Sequence, residues 1–194
     1  AKTINLGMMY GMGVNKLSDQ LDIPVDEAKK LAIESGISAI TVQAVASAAG
    51  VTKGGFLHHF PSKQALIDAI FEEVLDQLAS EIGARASKDR VAHGAFTRAY
   101  IDLAFGGEEP AMDQTWIALS LLMLDDPALR MKWTEWLNDQ LSEYGEDQGN
   151  VELSIARFAV DGAWLAQHFG VAIPERKSMH EALTKSTFSA GKRG

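Results

Sequence analysis

The chain has 194 residues, 46% of them hydrophobic and 23% charged, the balance of a globular protein with a core of its own. It has no cysteine, which excludes a disulfide framework, a thiolate zinc site and a cysteine nucleophile. No apolar run approaches the roughly 18–20 residues that cross a bilayer, so no membrane partner is expected. The net charge of −8 argues against a uniformly basic surface, yet the charge is unevenly spread. Residues 41–65 hold two lysines, two histidines and no carboxylate, whereas residues 101–161 hold thirteen carboxylates against Arg130, Lys132 and Arg157. A local basic face on an acidic body still attracts phosphate, because fields are screened within about 8–10 Å.

In chain order, residues 1–23 stand apart as a glycine- and methionine-rich extension without the charged-then-apolar layout of a secretory signal, which points to a cytoplasmic protein. Pro24 opens a helical stretch through Glu34, and Gly36 suits its C-terminus. Thr41 is a natural N-cap for Val42–Ala49, which Gly50 stops. Thr52 caps a second short helix running to Phe60. Pro61 and Ser62 break the chain again. Ser62 then caps a long helix carrying Leu66, Ile67, Ile70, Val74, Leu75 and Leu78 at helical spacing.

Further helices are expected over Val91–Phe105, Asp113–Leu124, Pro127–Tyr144 and Val151–Phe169, with a tail helix near Pro174–Thr187. Breakers separate them at Gly106-Gly107 and Pro110, at Asp125-Asp126-Pro127, at Gly145 to Gly149 and at Gly170. The tail from Ala190 to Gly194 reads as frayed and basic. No strand alternation is present, so the fold class is all-α. The domains are a 1–23 extension, a 24–70 helix-turn-helix domain and a 71–194 helical domain.

Residues 41–60 have what a helix-turn-helix needs. Ala46 is the small residue that allows close crossing, and Gly50 tolerates the positive φ of the turn. Val42, Val45, Val51 and Phe56 are the apolar lock between the helices. The second helix begins Thr52-Lys53-Gly54-Gly55, where free amides and a lysine favour phosphate or base edges. Its two glycines cost about 1 kcal/mol each in helix propensity and admit DNA closely. Each feature also has a plain reading: Gly50 as a helix stop, Thr52 as a cap, His58 and His59 as surface or packing residues. Taken alone they leave both readings open.

The run Thr41-Val42-Gln43-Ala44-Val45-Ala46-Ser47-Ala48-Ala49-Gly50-Val51-Thr52-Lys53-Gly54-Gly55-Phe56-Leu57-His58-His59-Phe60-Pro61-Ser62-Lys63-Gln64-Ala65-Leu66 closely resembles the DNA-binding domain of TetR-type transcriptional repressors. Glu27 to Ile40 also fit the first helix of that domain. The resemblance implies that Thr41 and Thr52 cap helices and touch phosphate, and that Lys53 and Gly54, with Gly55, lie nearest base edges. It further implies that His59 and Lys63 meet backbone phosphate and that Phe56 and Phe60 are core. Leu57 departs from the family, which commonly has tyrosine there. That phosphate contact is then missing or comes from a neighbour such as His58.

The same resemblance implies a dimer bound to a palindromic double-stranded operator and released by a small-molecule effector, with no cofactor, no metal and no catalysis. Its recognition helices would stand about 34–36 Å apart. Trp116 with Ser120 and Met123, and Trp164 with His168, are candidate effector contacts, though ordinary core explains each as well. The helix Val151–Phe169, with Ile155, Phe158, Ala159, Gly162, Ala163 and Ala166, is the candidate dimer-forming element together with the tail helix.

Ala1 to Gly13 looks instead like the fingers helix of family A DNA polymerases, with Lys2, Leu6, Tyr10 and Gly11 at the matching positions. The motif's arginine is absent, and the palm carboxylates need a far larger scaffold. A chimera, a chance match and an extension docked on the first helix all account for it. Two other function classes stand beside a regulator. An enzyme lacks support: there is no nucleophile elbow or phosphate-binding glycine loop, and adjacent His58 and His59 cannot both face one metal. The acidic pairs Glu108-Glu109, Asp125-Asp126 and Glu146-Asp147 are expected to be solvated loop residues. A helical interaction module without DNA affinity is the remaining class.

Overall fold

The computed structural model describes residues 25–31, 39–105, 114–147 and 149–189; the side chains of residues 114–118, 168 and 189 fall outside that description. The polymerase-like motif at residues 1–13 also lies outside it. The described residues form helices and no strand, in agreement with the all-α reading. These are α1 (25–31), α2 (Val42–Ala48), α3 (Lys53–His59), α4 (Lys63–Ala86), α5 (Ala95–Phe105), α6 (Gln114–Asp125), α7 (Pro127–Glu143), α8 (Val151–His168) and α9 (Arg176–Ser189). They divide into two compact units: residues 1–73 with 118–121, and residues 74–117 with 122–194. None of them is long and apolar enough to cross a membrane.

The first unit closes over Val25, Ala28, Ile40, Val45, Phe56, Phe60, Leu66, Ile70 and Phe71, all buried. Lys29 of α1 pairs with Glu73 of α4. That contact links the two ends of the unit.

In the second unit α5 is the central element. From Ala95 to Leu103 only Asp102 is less than fully buried, so this helix needs neighbours on every side, and its Thr97 and Arg98 need polar partners there. α8 and α9 supply two of them. Arg176 of α9 donates to the Ala104 carbonyl, and His180 Nε2 stands 2.5 Å from Asp102 Oδ1.

The first amides of such a buried helix need acceptors. Glu146 provides them. Its Oε1 accepts from the Phe96 amide at 2.9 Å and its Oε2 from the Thr97 amide at 3.2 Å, while Arg157 Nη1 lies 3.3 Å from Oε2. Glu146 is 2% exposed, which corrects the expectation of a solvated Glu146-Asp147 pair; Asp147 itself is exposed. The reason lies in the end of α7. Gly145, at φ +64, sends its amide to Ser142, and the Glu146 amide returns to Leu141 at 2.7 Å. This left-handed cap turns the glutamate inward. Asp126 of the other acidic pair is also structural, since its carboxylate accepts from the Ala128 amide at 2.8 Å and caps α7.

α5 begins at Ala95 and not at the expected Val91. The Val91 amide bonds the Asp89 carboxylate, and Gly94 takes φ +82. The buried Arg98 side chain folds back over the segment. It meets Asp89 Oδ2 at 2.5 Å and the carbonyls of Val91 and His93 at 2.5 and 3.0 Å, with the Phe188 ring 4.4 Å away. A Cβ on Gly94 would lie 2.6 Å from Arg98 Nη1 and 3.3 Å from Leu153 Cδ2. Because Arg98 is held by all of these partners, it cannot swing aside freely. Gly94→Ala is therefore expected to cost about 1–3 kcal/mol, from the left-handed backbone and the displaced guanidinium. Denaturant unfolding measures it, and an unchanged midpoint would contradict the crowding described.

Candidate nucleic-acid interface

The candidate interface residues sit at the cap of α2, at the cap of α3, along α3 and at the start of α4. Thr41 Oγ1 accepts from the Ala44 amide at 3.1 Å and starts α2. At its end Gly50 adopts φ +66, its amide bonding Ser47 at 3.2 Å while that of Val51 bonds Ala46 at 2.9 Å. This double bond to the last turn is the Schellman arrangement, which a side chain with a Cβ resists. Val45, Ala46 and Phe56 are buried, but Val42 is half-buried and Val51 is 42% exposed. Val51 is therefore not part of the apolar lock expected of it, because the cap that uses its amide leaves its side chain outward.

Thr52 Oγ1 accepts from the Gly55 amide at 3.1 Å and starts α3. A Cβ on Gly55 would crowd that hydroxyl at 3.2 Å, whereas one on Gly54 would meet nothing within 4 Å. Phe56 and Phe60 turn inward, their rings 5.3 Å apart. Lys53, Gly54, Leu57 and His58 are left exposed one helical turn from each other. Thr41 and Thr52 are exposed too, and His59 and Lys63 are half-buried. Burial pushes the His59 imidazole below its usual range, and the neighbouring His58, edge-on at 5.3 Å, pushes it further. At neutral pH His59 is thus a neutral donor more than a cation. Ser62 accepts from the Ala65 amide at 3.1 Å and caps α4.

The five candidate effector residues fare differently. The side chains of Trp116 and His168 lie outside the described residues; Ser120 is buried, and Met123 and Trp164 are half-buried. None of these described side chains lines the cavity of about 270 Å³ within the second unit, whose walls include Tyr100, Leu137, Leu141, Arg157, Phe158 and Asp161. Tyr100 donates to Asp161 Oδ1 at 2.7 Å. Burial, then the Asp161 charge, raises the Tyr100 hydroxyl well above its ordinary range. Burial also raises the Asp161 carboxyl, opposed by the Tyr100 hydrogen bond and by Arg157. The sequence does carry a trace of this group: Arg157 and Asp161, one turn apart, are charges of opposite sign within the largely apolar run from Ile155 to Ala166. Among the described residues no cluster of three or more histidines or carboxylates could hold a metal ion.

Known proteins agree with this arrangement. Residues 25–70 match the family described as bacterial regulatory proteins, tetR family, and residues 94–187 match the tetracyclin repressor-like C-terminal domain. The HTH-type transcriptional repressor KstR2 of Rhodococcus jostii (strain RHA1) is 28% identical over 158 residues, which is 73% of this chain and 75% of that protein. Two solved structures share the fold. The multidrug binding protein EbrR complexed with ethidium superposes with a TM-score of 0.66 at 20% identity, covering 86% of this chain and 97% of that one. The TetR-family member SCO1917 of Streptomyces coelicolor A3 gives 0.66 at 21% identity over the same shares. With residues 25–70 and 94–187 each matched by a family model, the chain belongs to the TetR family of transcriptional regulators.

Proposed function

We propose that this regulator is a cytoplasmic repressor that grips a palindromic operator as a homodimer and lets go when a small molecule occupies its helical part, residues 71–194. The observation that carries the reading is the exposed face of Lys53, Gly54, Leu57 and His58 in a stretch without a carboxylate. Lys53, Gly54 and Gly55 meet base edges in this scheme. Thr41, Thr52, His58, His59 and Lys63 take phosphates, which fix the register of the helix in the groove.

Dimerisation is supported by α8. Val151, Ile155, Phe158, Leu165 and Phe169 are exposed by 64, 60, 72, 37 and 70%, with exposed Gly162 between them. They alternate at four and three residues, the spacing that seats one helix against another. An apolar stripe of that length on a lone subunit is costly in water. A second copy placing the same stripe against it removes the cost symmetrically.

The effector is assigned to residues 71–194, with Trp116, Ser120, Met123, Trp164 and His168 as its candidate contacts. EbrR, whose fold is shared, is a multidrug binding protein complexed with ethidium. A ligand that favours a different separation of the two recognition helices would lower operator affinity by its differential binding to the two states.

Selection of random duplex DNA by the purified protein tests the reading. A palindromic site is the expected result. Lys53→Ala is expected to weaken binding to it about 5- to 100-fold, in line with about 1–3 kcal/mol for a base contact by a charged side chain. A folded, dimeric protein that enriches no sequence would overturn the proposal.

A further inference from the structure

α3 buries its apolar side chains with one exception. Phe56 and Phe60 are 1% and 7% exposed, and their contact holds the helix to the unit. Leu57, between them in sequence, is 37% exposed. It shares its face with Lys53 four residues before, Gly54 three before and His58 beside it, all exposed. Packing within the chain therefore does not account for a leucine here.

Gly54 points the same way. Nothing lies within 4 Å of where its Cβ would be, and its φ is not in the left-handed region. The chain itself has no use for glycine at this position, where glycine weakens a helix relative to alanine. A surface approaching from outside does, and it would approach beside Leu57.

A leucine cannot hydrogen-bond a phosphate or a base edge. On the floor of the major groove the apolar group is the C5-methyl of thymine. Deoxyribose also offers carbon, but identically at every base. We infer that Leu57 reads a thymine through its C5-methyl group, once in each half-site, and so sets the chain's choice of thymine over cytosine at that position. The inference rests on the operator-binding reading above.

Uracil separates the methyl from every other feature of thymine. In the selected operator each thymine is replaced in turn, symmetrically in both half-sites, by deoxyuridine, and binding of the wild type and of Leu57→Ala is measured. At one position uracil is expected to weaken wild-type binding about 3- to 5-fold per half-site, the effect of one unburied methyl. Leu57→Ala is expected to bind the thymine operator more weakly and to be indifferent to uracil there. Alanine is the best helix former at an exposed site, so the variant keeps its fold.

Unchanged wild-type binding with uracil at every position, or a site in which no thymine matters, would overturn the inference alone. A uracil effect equally large in Leu57→Ala would assign the methyl to another side chain and overturn it too. Failure to bind any duplex would overturn the operator-binding reading itself.

Discussion

Glu146→Ala is expected to destabilise the protein by about 3–5 kcal/mol, the range for removing one partner of a buried ion pair. The glutamate does two things at once. It accepts from the Phe96 and Thr97 amides at the start of α5, and it faces Arg157, whose side chain is 10% exposed. Alanine leaves two buried amides without an acceptor and a buried guanidinium without its ion-pair partner. Of its hydrogen bonds Arg157 keeps those to the Thr97 hydroxyl at 2.8 Å and Ser154 Oγ at 3.2 Å, neither of which carries charge, while the Asp161 charge still acts on it more weakly than Glu146 did. Burial already lowers the Arg157 pKa, opposed first by Glu146, so losing that neighbour acts directly on it. Thermal unfolding followed by circular dichroism should show a midpoint lower by about 6–20 °C, at about 2–4 °C per kcal/mol for a chain of this size. Glu146→Gln retains an acceptor for the amides but not the charge, and an intermediate loss is expected. A drop below about 1 kcal/mol in the alanine variant would mean that Glu146 neither caps α5 nor balances Arg157 in solution.

Phe158→Glu is expected to turn a dimer into a monomer and to weaken operator binding at least about 100-fold. The side chain is 72% exposed in one subunit, so the subunit's own packing loses little. In a symmetric interface the same substitution appears on both sides, placing two carboxylates in a desolvated seam. A monomer reaches only one half-site and loses the effective concentration that the second recognition helix gains from the first. Sedimentation gives the mass and a mobility-shift titration gives the affinity. Phe158 also borders the cavity, so Ile155→Glu, on the stripe but not among the cavity's lining residues, is the companion variant. Should both variants sediment as the wild type does, the stripe on α8 is not the dimer contact.

The parts of this molecule that were legible in the sequence have short-range causes. Thr41, Thr52 and Ser62 each accept from an amide three residues on, so a threonine or serine before a helical run was sufficient signal. Gly50 marked the turn because the positive φ there is a property of the backbone alone. The all-α class follows from such signals and from helical spacing; the family was legible only through the resemblance carried by residues 41–66. Where an apolar residue stood next to a cap, the same reasoning failed: Val51 was expected inside and lies 42% exposed. Its amide, not its side chain, is what the turn employs.

Sequence by itself determined the helix order, the caps of α2, α3 and α4, the turn at Gly50 and the polarised charge, because each depends on neighbours within a few residues or on composition. Tertiary structure alone decided which charges are buried. Glu146 meets Phe96 across 50 residues, Arg98 meets Thr187 across 89, and Tyr100 meets Asp161 across 61. Glu146 follows a glycine and precedes an aspartate, the pattern of a solvated loop, and only the return of the chain onto α5 takes it out of water. The start of α5 at Ala95 and not at Val91 has a nearer cause, since the Arg98 guanidinium claims the carbonyls of Val91 and His93, seven and five residues before it. Spacing along a chain reports which residues share a helix face. Burial is a property of what arrives on that face from elsewhere, and there the physical cause is distant in sequence.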